Sequence, residues 1–298
     1  MLIVFNPAAG ARRWQRLYRA LDELARLDLR PELAVTERPG HATLLARQAA
    51  TRGVPLIVAA GGDGTVAEVA GGIADSSVAL GILPLGTANV LAQELRVPAV
   101  PERAAALLAC GCPTPLWPGV ARYENGVQRL FVQMLGAGFD AAVVHRLDPG
   151  LKRRFGRGAY IVQTLRELAR YPFPRFTAEL DGTIEAVVSA IITKGRLYAG
   201  RHLLAPGAMP QKPGFQVALF HRGGPLHTAL CGAALPFDLL PRLPGVELRA
   251  AARVRLHGAA TIVRVQADGD PAGALPVTIE DAPAPLRVML ARDAGRNG

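Results

Sequence analysis

The residues Gly61-Gly62-Asp63-Gly64-Thr65 stand directly after the apolar run Pro55–Ala60. A run that short and that apolar reads as a buried strand. The three glycines then turn the chain, and Val66–Ile73 is compatible with a helix. The backbone comes close to whatever lies at the strand end, and the amides opening the helix point at an anion such as a phosphate. Asp63 adds a carboxylate suited to Mg2+, and Thr65 a hydroxyl able to cap the helix or bond a phosphate oxygen. A tight turn with an Asp-Gly pair and a Thr cap uses the same five residues, so the rest of the chain has to decide.

The first part of the chain alternates strand and helix. Leu2–Phe5 reads as a strand entering the turn Asn6-Pro7-Ala8-Ala9-Gly10, after which Trp14, Leu17, Leu21, Leu24 and Leu27 recur at helical spacing. Glu32–Thr36 and Ala79–Leu83 predict further strands and Ala42–Thr51 a helix; Pro84-Leu85-Gly86-Thr87-Ala88-Asn89 turns into another helix ending near Leu95. This order predicts an α/β domain with a mostly parallel, doubly wound sheet that binds ligands at the carboxyl ends of its strands. The loops after Phe5, Thr36, Ala60 and Leu83 all leave strand ends, so one rim can carry a site.

A helix over Glu102–Ala109 gives way to a Pro/Gly-rich link reaching Pro118. Beyond it, Arg129–Leu135, Arg175–Leu180, Thr183–Thr193, Phe215–Phe220, Val246–Leu256 and Thr261–Ala267 read as strands, with Asp181-Gly182 as a hairpin turn. One helix, Ala159–Arg170, places Tyr160, Thr164, Leu165 and Leu168 on one face. The second half is expected to be a mainly antiparallel β domain.

With 298 residues, half of them hydrophobic, the chain can bury two cores. No apolar run reaches the roughly 18 residues a membrane span needs. Met1–Phe5 lacks a basic leader and reads as the first strand, so the cytoplasm is the expected location. The net charge of +10 favours phosphorylated ligands, nucleic acid or an anionic membrane. No stretch interleaves aromatic and basic residues, which argues against nucleic acid. The densest basic cluster is Lys152-Arg153-Arg154 with Arg157. Cys110, Cys112 and Cys231, and the six scattered histidines, have no metal-binding or redox spacing.

Other motifs are open when taken singly. Asn6-Pro7 with Gly10, Gly40-His41-Ala42 and Gly86-Thr87-Ala88-Asn89 each fit a nucleotide contact or an ordinary helix opening, with Thr87 the expected cap of the last. Gly136-Ala137-Gly138-Phe139-Asp140 offers a placed carboxylate or a structural turn. Gln266-Ala267-Asp268-Gly269-Asp270 sets two acids where one can take the proton of an attacking hydroxyl in phosphoryl transfer; an Asp-Gly β-turn fits equally. The Walker P-loop, the protein-kinase motifs and a Gly-x-Gly-x-x-Gly after the first strand are missing.

In this order the motifs resemble the diacylglycerol kinase catalytic-domain family, which includes soluble bacterial diacylglycerol kinases, lipid kinases, and sphingosine and ceramide kinases. The resemblance spans nearly the whole chain. It adds Thr36, Glu68 and Gly158-x-Tyr160 to the segments above. It implies an α/β nucleotide-binding domain like that of NAD kinases and phosphofructokinases, over residues 1–117 rejoined by 281–298. A β-sandwich lipid domain over 118–280 completes it. It further implies ATP and Mg2+ as cofactors. ATP would be bound by Asn6, Thr36, Gly61, Gly62, Asp63, Gly64, Thr65, Val66, Ala67, Glu68, Gly86 and Thr87, with Asp63 near Mg2+. A lipid hydroxyl would enter between the domains, near Asp140.

The family usually ends its late motif in Asp-Gly-Glu, with Glu as the base; here the matching residue is Asp270, one methylene shorter. Many bacterial members carry an Asp for a structural Mg2+ where this chain has Pro213, so that site is expected to be absent. Ala67 stands where Asn is common. The expected activity is transfer of the γ-phosphate of ATP to a lipid hydroxyl, on a diacylglycerol or a sphingoid- or ceramide-like lipid. The expected partner is the anionic inner face of the membrane, approached peripherally. The alternatives are a NAD kinase-like enzyme, against which the Pro84–Asn89 and Gly136–Asp140 motifs stand, and a non-catalytic lipid- or nucleotide-binding relative.

Overall fold

The computed structural model describes residues 1–8, 12–148 and 157–292. They form two units, one built from Met1–Trp117 with the strand Leu286–Leu290, the other from Pro118–Ala282.

In the first unit, β1 (Leu2–Phe5), β2 (Glu32–Val35), β3 (Leu56–Gly61), β4 (Ala79–Pro84), β5 (Cys112–Leu116) and, from far along the chain, β20 (Leu286–Leu290) make one sheet. Its order is β2-β1-β3-β4-β20-β5, parallel except for β5. The α-helices are α1 (Arg13–Arg26), α2 (His41–Thr51), α3 (Asp63–Ile73), α4 (Val90–Glu94) and α5 (Pro101–Cys110). Strands β1 and β4 are buried throughout and β3 nearly so, because helices cover the faces of a parallel sheet; their sequences are therefore continuous apolar runs. Leu17, Ala20 and Leu24 of α1 join Ile3, Phe5, Val58 and Leu83 in one buried cluster. A fully buried side chain of this kind contributes about 1.5–3 kcal/mol.

The Pro/Gly-rich link is in part a strand. Pro113 and Pro115 lie in β5, opposite Met289 and Arg287 of β20. An edge position tolerates prolines because one side of the strand needs no ladder donors. That composition hid the strand.

The second unit holds two six-stranded antiparallel sheets. One contains β6 (Gly119–Tyr123), β7 (Gln128–Phe131), β9 (Phe176–Leu180), β10 (Thr183–Val187), β16 (Val254–His257) and β19 (Val277–Asp281). The other contains β8 (Met134–Ala137), β11 (Ser189–Thr193), β14 (Phe215–Phe220), β15 (Val246–Ala251), β17 (Arg264–Ala267) and β18 (Asp270–Ala274). A short ribbon pairs β12 (Leu197–Tyr198) with β13 (His202–Leu203). Phe131, Phe176, Leu256 and Ile279 of the first sheet meet Leu135, Ile192, Val217 and Val265 of the second in a shared core, which makes a β-sandwich. The helices are α6 (Phe139–Arg146), α7 (Arg157–Leu168) and α8 (Pro225–Ala234), the last followed by 3-10 turns over Leu235–Phe237 and Leu240–Arg242.

Three runs expected as single strands are each divided between the two sheets: 129–135 into β7 and β8, 183–193 into β10 and β11, and 246–256 into β15 and β16. Much of the hydrophobic pattern continues through these corners, so the bends leave little mark on it. Of the residues expected on one face of α7, Tyr160, Thr164 and Leu168 are half-buried and Leu165 is 62% exposed, while the fully buried positions are Gln163 and Glu167. The polar pair is drawn inward because Glu167 accepts hydrogen bonds from Gln163 Nε2 at 2.9 Å and from Arg146 Nη1 of α6 at 2.7 Å.

Candidate functional site

In the strand order β2-β1-β3 the connections leave β1 and β3 in opposite directions, and the loops beyond their carboxyl ends border a crevice where α/β sheets hold ligands. Asn6 follows β1 and binds across the gap. Its amide donates to Ala60 O at 3.0 Å, its Nδ2 to Thr65 Oγ1 at 3.0 Å, and its Oδ1 accepts from Ala8 N at 2.9 Å. Gly61 must be glycine, since a Cβ there would lie 2.3 Å from Thr65 Oγ1.

The two glycine loops pack backbone to backbone. The amides of Leu85 and Gly86 both donate to Gly61 O, at 2.9 and 3.0 Å. A Cβ on Gly86 would lie 2.4 Å from Gly62 Cα. Asn89 clamps the second loop, accepting from Gly86 N at 3.0 Å and donating to Gly86 O at 2.8 Å.

Helix α3 begins at Asp63, earlier than the run Val66–Ile73, with Gly62 at its N-cap and no side chain capping it. Thr65 is therefore inside the first turn and buried, its hydroxyl held by Asn6. Thr87 is not the cap of α4 either. That helix starts at Val90, with Asn89 at the N-cap in the left-handed conformation (φ 48°). Its opening amides are served by Asp63, whose Oδ1 accepts from Leu91 N at 3.2 Å. Burial raises the pKa of Asp63, and the amides around Leu91 and Val90 partly offset that rise.

Val66 and Ala67 are buried, and Thr36 is buried with its amide bonded to Phe5 O at 2.8 Å. Glu68 closes the rim's other side. Its carboxylate accepts from Gly40 N at 2.8 Å and Ala42 N at 3.1 Å, and its carbonyl from Thr43 Oγ1 at 2.9 Å. The Gly40-His41-Ala42 motif is thus the head of α2 fastened to α3.

The second unit assembles its own polar cluster. Gly136 leaves room for Asp140, because a Cβ there would lie 2.5 Å from Asp140 Oδ2. Asp140 accepts from Tyr198 OH at 2.5 Å and from Gln266 Nε2 at 2.8 Å, and Gln266 Oε1 accepts from Gly269 N at 2.8 Å. Burial raises the pKa of Asp140; burial and then the Asp140 charge raise that of Tyr198. Asp268 and Gly269 both have positive φ, 50° and 84°, and form the tight primed turn between β17 and β18.

The two acids flanking that turn differ in use. Asp268 accepts the amides of Val132, Gln133 and Met134 at 2.7, 2.8 and 3.0 Å, which fixes the corner between β7 and β8. Asp270 stands at the turn's exit with its side chain 39% exposed and Arg129 Nη2 at 4.0 Å.

Tyr198 and Gln266 were not expected as partners of Asp140; a lone tyrosine between motifs carries no sequence signal. Lys194 was missed as well. Its fully buried Nζ donates to Gly214 O at 2.7 Å, Asp281 Oδ1 at 2.5 Å and Lys212 O at 3.3 Å, and lies 4.6 Å from the Phe215 ring centroid. The segment around Pro213 therefore holds a cation of the chain's own, with a pKa lowered by burial and partly restored by Asp281.

Gly10 and Lys152-Arg153-Arg154, with the side chain of Arg157, lie outside the described residues. Among the described residues, no group of three or more His, Cys, Asp or Glu side chains is placed to hold a metal, and no helix is long and apolar enough to cross a membrane.

Comparison with known proteins places these features. The diacylglycerol kinase catalytic domain matches residues 1–117, and the YegS C-terminal NAD kinase beta sandwich-like domain matches residues 133–290. A protein named diacylglycerol kinase from Mycobacterium tuberculosis (strain ATCC 25618 / H37Rv) is 30% identical over 258 residues, covering 82% of this chain and 79% of its own. One named "Probable lipid kinase YegS-like" from Stenotrophomonas maltophilia (strain K279a) is 30% identical over 270 residues, covering 87% and 86%. The crystal structure of a diacylglycerol kinase from Bacillus anthracis str. Sterne superposes with a TM-score of 0.78 over 98% of this chain and 96% of that one, at 23% identity.

Proposed function

The chain belongs to the diacylglycerol kinase family of lipid kinases, and from that membership we propose that it transfers the γ-phosphate of ATP to the hydroxyl of a diacylglycerol-like membrane lipid. The observation that carries this reading is the uncapped start of α3 at the β1/β3 crevice, where Gly61, Gly62 and Gly86 let backbone approach backbone. Amides opening a helix suit the phosphates of ATP. In this reading Gly62, Asp63, Gly64 and Thr65 hold the phosphates by their amides, and Gly86 and Thr87 border them. Val66 and Ala67 contribute backbone only. Asn6, Thr36 and Glu68 act by holding the rim in shape.

Mg2+ fits the residues present in a limited way. It favours one or two carboxylates, phosphate oxygens and retained waters over an all-protein cage, and Asp63 supplies one such carboxylate. When bound it would offset charge on the phosphates. Asp270 is the proposed base. It takes the proton as the lipid oxygen bonds to the γ-phosphorus and the bond to ADP breaks. Asp140, with Tyr198 and Gln266, orients the lipid's polar end.

The test is transfer of label from γ-labelled ATP, with Mg2+, to diacylglycerol, ceramide and sphingosine in mixed micelles, with Asp63→Ala as the blank. Label on diacylglycerol that is lost in the variant is the expected result. Label on NAD alone, or none in a folded chain that binds ATP, would overturn the proposal.

A further inference from the structure

Two neighbouring helices of the second unit wear their polarity inside out. In α7 the buried residues are Gln163 and Glu167, whereas Ile161, Val162 and Leu165 are exposed. In α8 the buried residues are the small Cys231 and Ala234, which pack with Met134, Ile191 and Ala218 of the sheet. Its large side chains point to solvent: Leu226 is 88% exposed and Leu230 51%, and the following turns expose Phe237 (73%) and Leu239. The segment Pro225–Phe237 contains no Asp, Glu, Lys or Arg. A helix partnered only by its own sheet would bury its leucines and expose its polar residues. The inversion is held firmly, by the Arg146–Glu167–Gln163 bonds for α7.

The two helices touch, and the loop after α7 is pinned to the start of α8. Phe173 stacks on Phe139 (5.7 Å between centroids) and meets Tyr171 edge-on, and it leaves no room for a Cβ on Gly223. Charge says what covers this surface. Residues 157–175 and 222–243 include six arginines and two acids. Glu167 is buried against Arg146, and Asp238, itself exposed, accepts the amide of Leu203 at 2.7 Å, so the arginines outnumber the acids three to one. Exposed apolar side chains on segments that also expose Arg166, Arg170, Arg175, Arg222 and Arg242 match the headgroup-to-acyl boundary of an anionic bilayer.

We propose that the outward faces of α7, α8 and the turn at Phe237 are the surface by which this chain docks on anionic phospholipid. The proposal rests on the lipid-kinase reading for its occupant and adds the residues that reach the bilayer.

The test uses the full chain with vesicles of phosphatidylcholine, with and without phosphatidylglycerol, in a flotation assay. Two sets of substitutions are compared with wild type: Leu226→Ser with Leu230→Ser and Phe237→Ser, and Ile161→Ser with Leu165→Ser. Ile184→Ser, an exposed isoleucine of β10, is the control. Each set is expected to lower partitioning by about tenfold or more, since each removes buried-on-docking apolar side chains. Melting temperature and phosphorylation of a dispersed short-chain diacylglycerol should stay as in the control.

No vesicle binding by wild type, binding indifferent to phosphatidylglycerol, or unchanged binding by both sets would overturn the proposal. So would a change of oligomeric state in the variants without loss of vesicle binding, or loss of dispersed-lipid activity along with binding. A wild type that docks through these residues yet transfers no phosphate to dispersed lipid would overturn the kinase reading and leave the surface standing.

Discussion

Asp63 serves two demands that conflict. In its proposed role as a ligand for Mg2+ it must be ionised, yet burial raises its pKa and the amides near Leu91 only partly compensate. A carboxyl whose folded pKa is raised binds its proton more readily when native. Its contribution to stability is complete below the unfolded value of 3.8 and is lost as pH rises through the folded value. Asp63→Asn is therefore expected to raise stability at neutral pH, with the gain shrinking toward mildly acidic pH, while the rate falls on the order of a hundredfold or more. Urea unfolding at both pH values, beside initial rates, checks both signs. Asp268→Ala should act oppositely. It leaves three amides at the β7–β8 corner without their acceptor, and a loss of about 3 kcal/mol is expected in the same unfolding assay. By residue type Asp268 and Asp270 are alike, and in the sequence only the family resemblance sets Asp270 apart. What separates them is a set of amides some 135 positions earlier, which only the folded corner brings near.

At the scale of elements, adjacent glycines of α3 make a sharp test of packing. A Cβ on Gly71 meets nothing within 4 Å, whereas one on Gly72 would lie 2.6 Å from Thr43 O in α2. Gly71→Ala is expected to stabilise by about 0.5–1 kcal/mol through helix propensity. Gly72→Ala is expected to destabilise, because backbone cannot yield as a side-chain tip does. Thermal melts of the two variants should move in opposite directions. Elements of this kind were legible where one period ruled: β1, β3 and β4 as apolar runs, α1 as a leucine stripe. Legibility failed where tertiary structure overruled the pattern. The divided strands keep their apolar character through each bend, β5 hides behind its prolines, and α7 turns its polar residues inward to meet Arg146.

For the molecule as a whole, the insertion of β20 between β4 and β5 is decisive. The first unit is not complete within residues 1–117, because β4 and β5 share a neighbour from beyond the second unit. A fragment of residues 1–117 is expected to show exchange of β4 amides far faster than the intact chain. A peptide covering 283–292, added in trans, should restore their protection in hydrogen-exchange measurements. A fragment that melts cooperatively without the peptide would contradict this. The glycine rim and the family motifs were readable from sequence, and the resemblance implied that 281–298 rejoin the first domain; the place of β20 between β4 and β5 is a fact of topology, since the ten residues around it contain no motif. The same insertion reaches into biosynthesis. Chains emerge at roughly 5–20 residues per second and usually fold from the N-terminus onward. Here the continuous second unit can close its sheets while the first still waits for its missing strand. The glycine rim would then be the last part to take shape on the ribosome, after the sandwich unit had already closed its sheets.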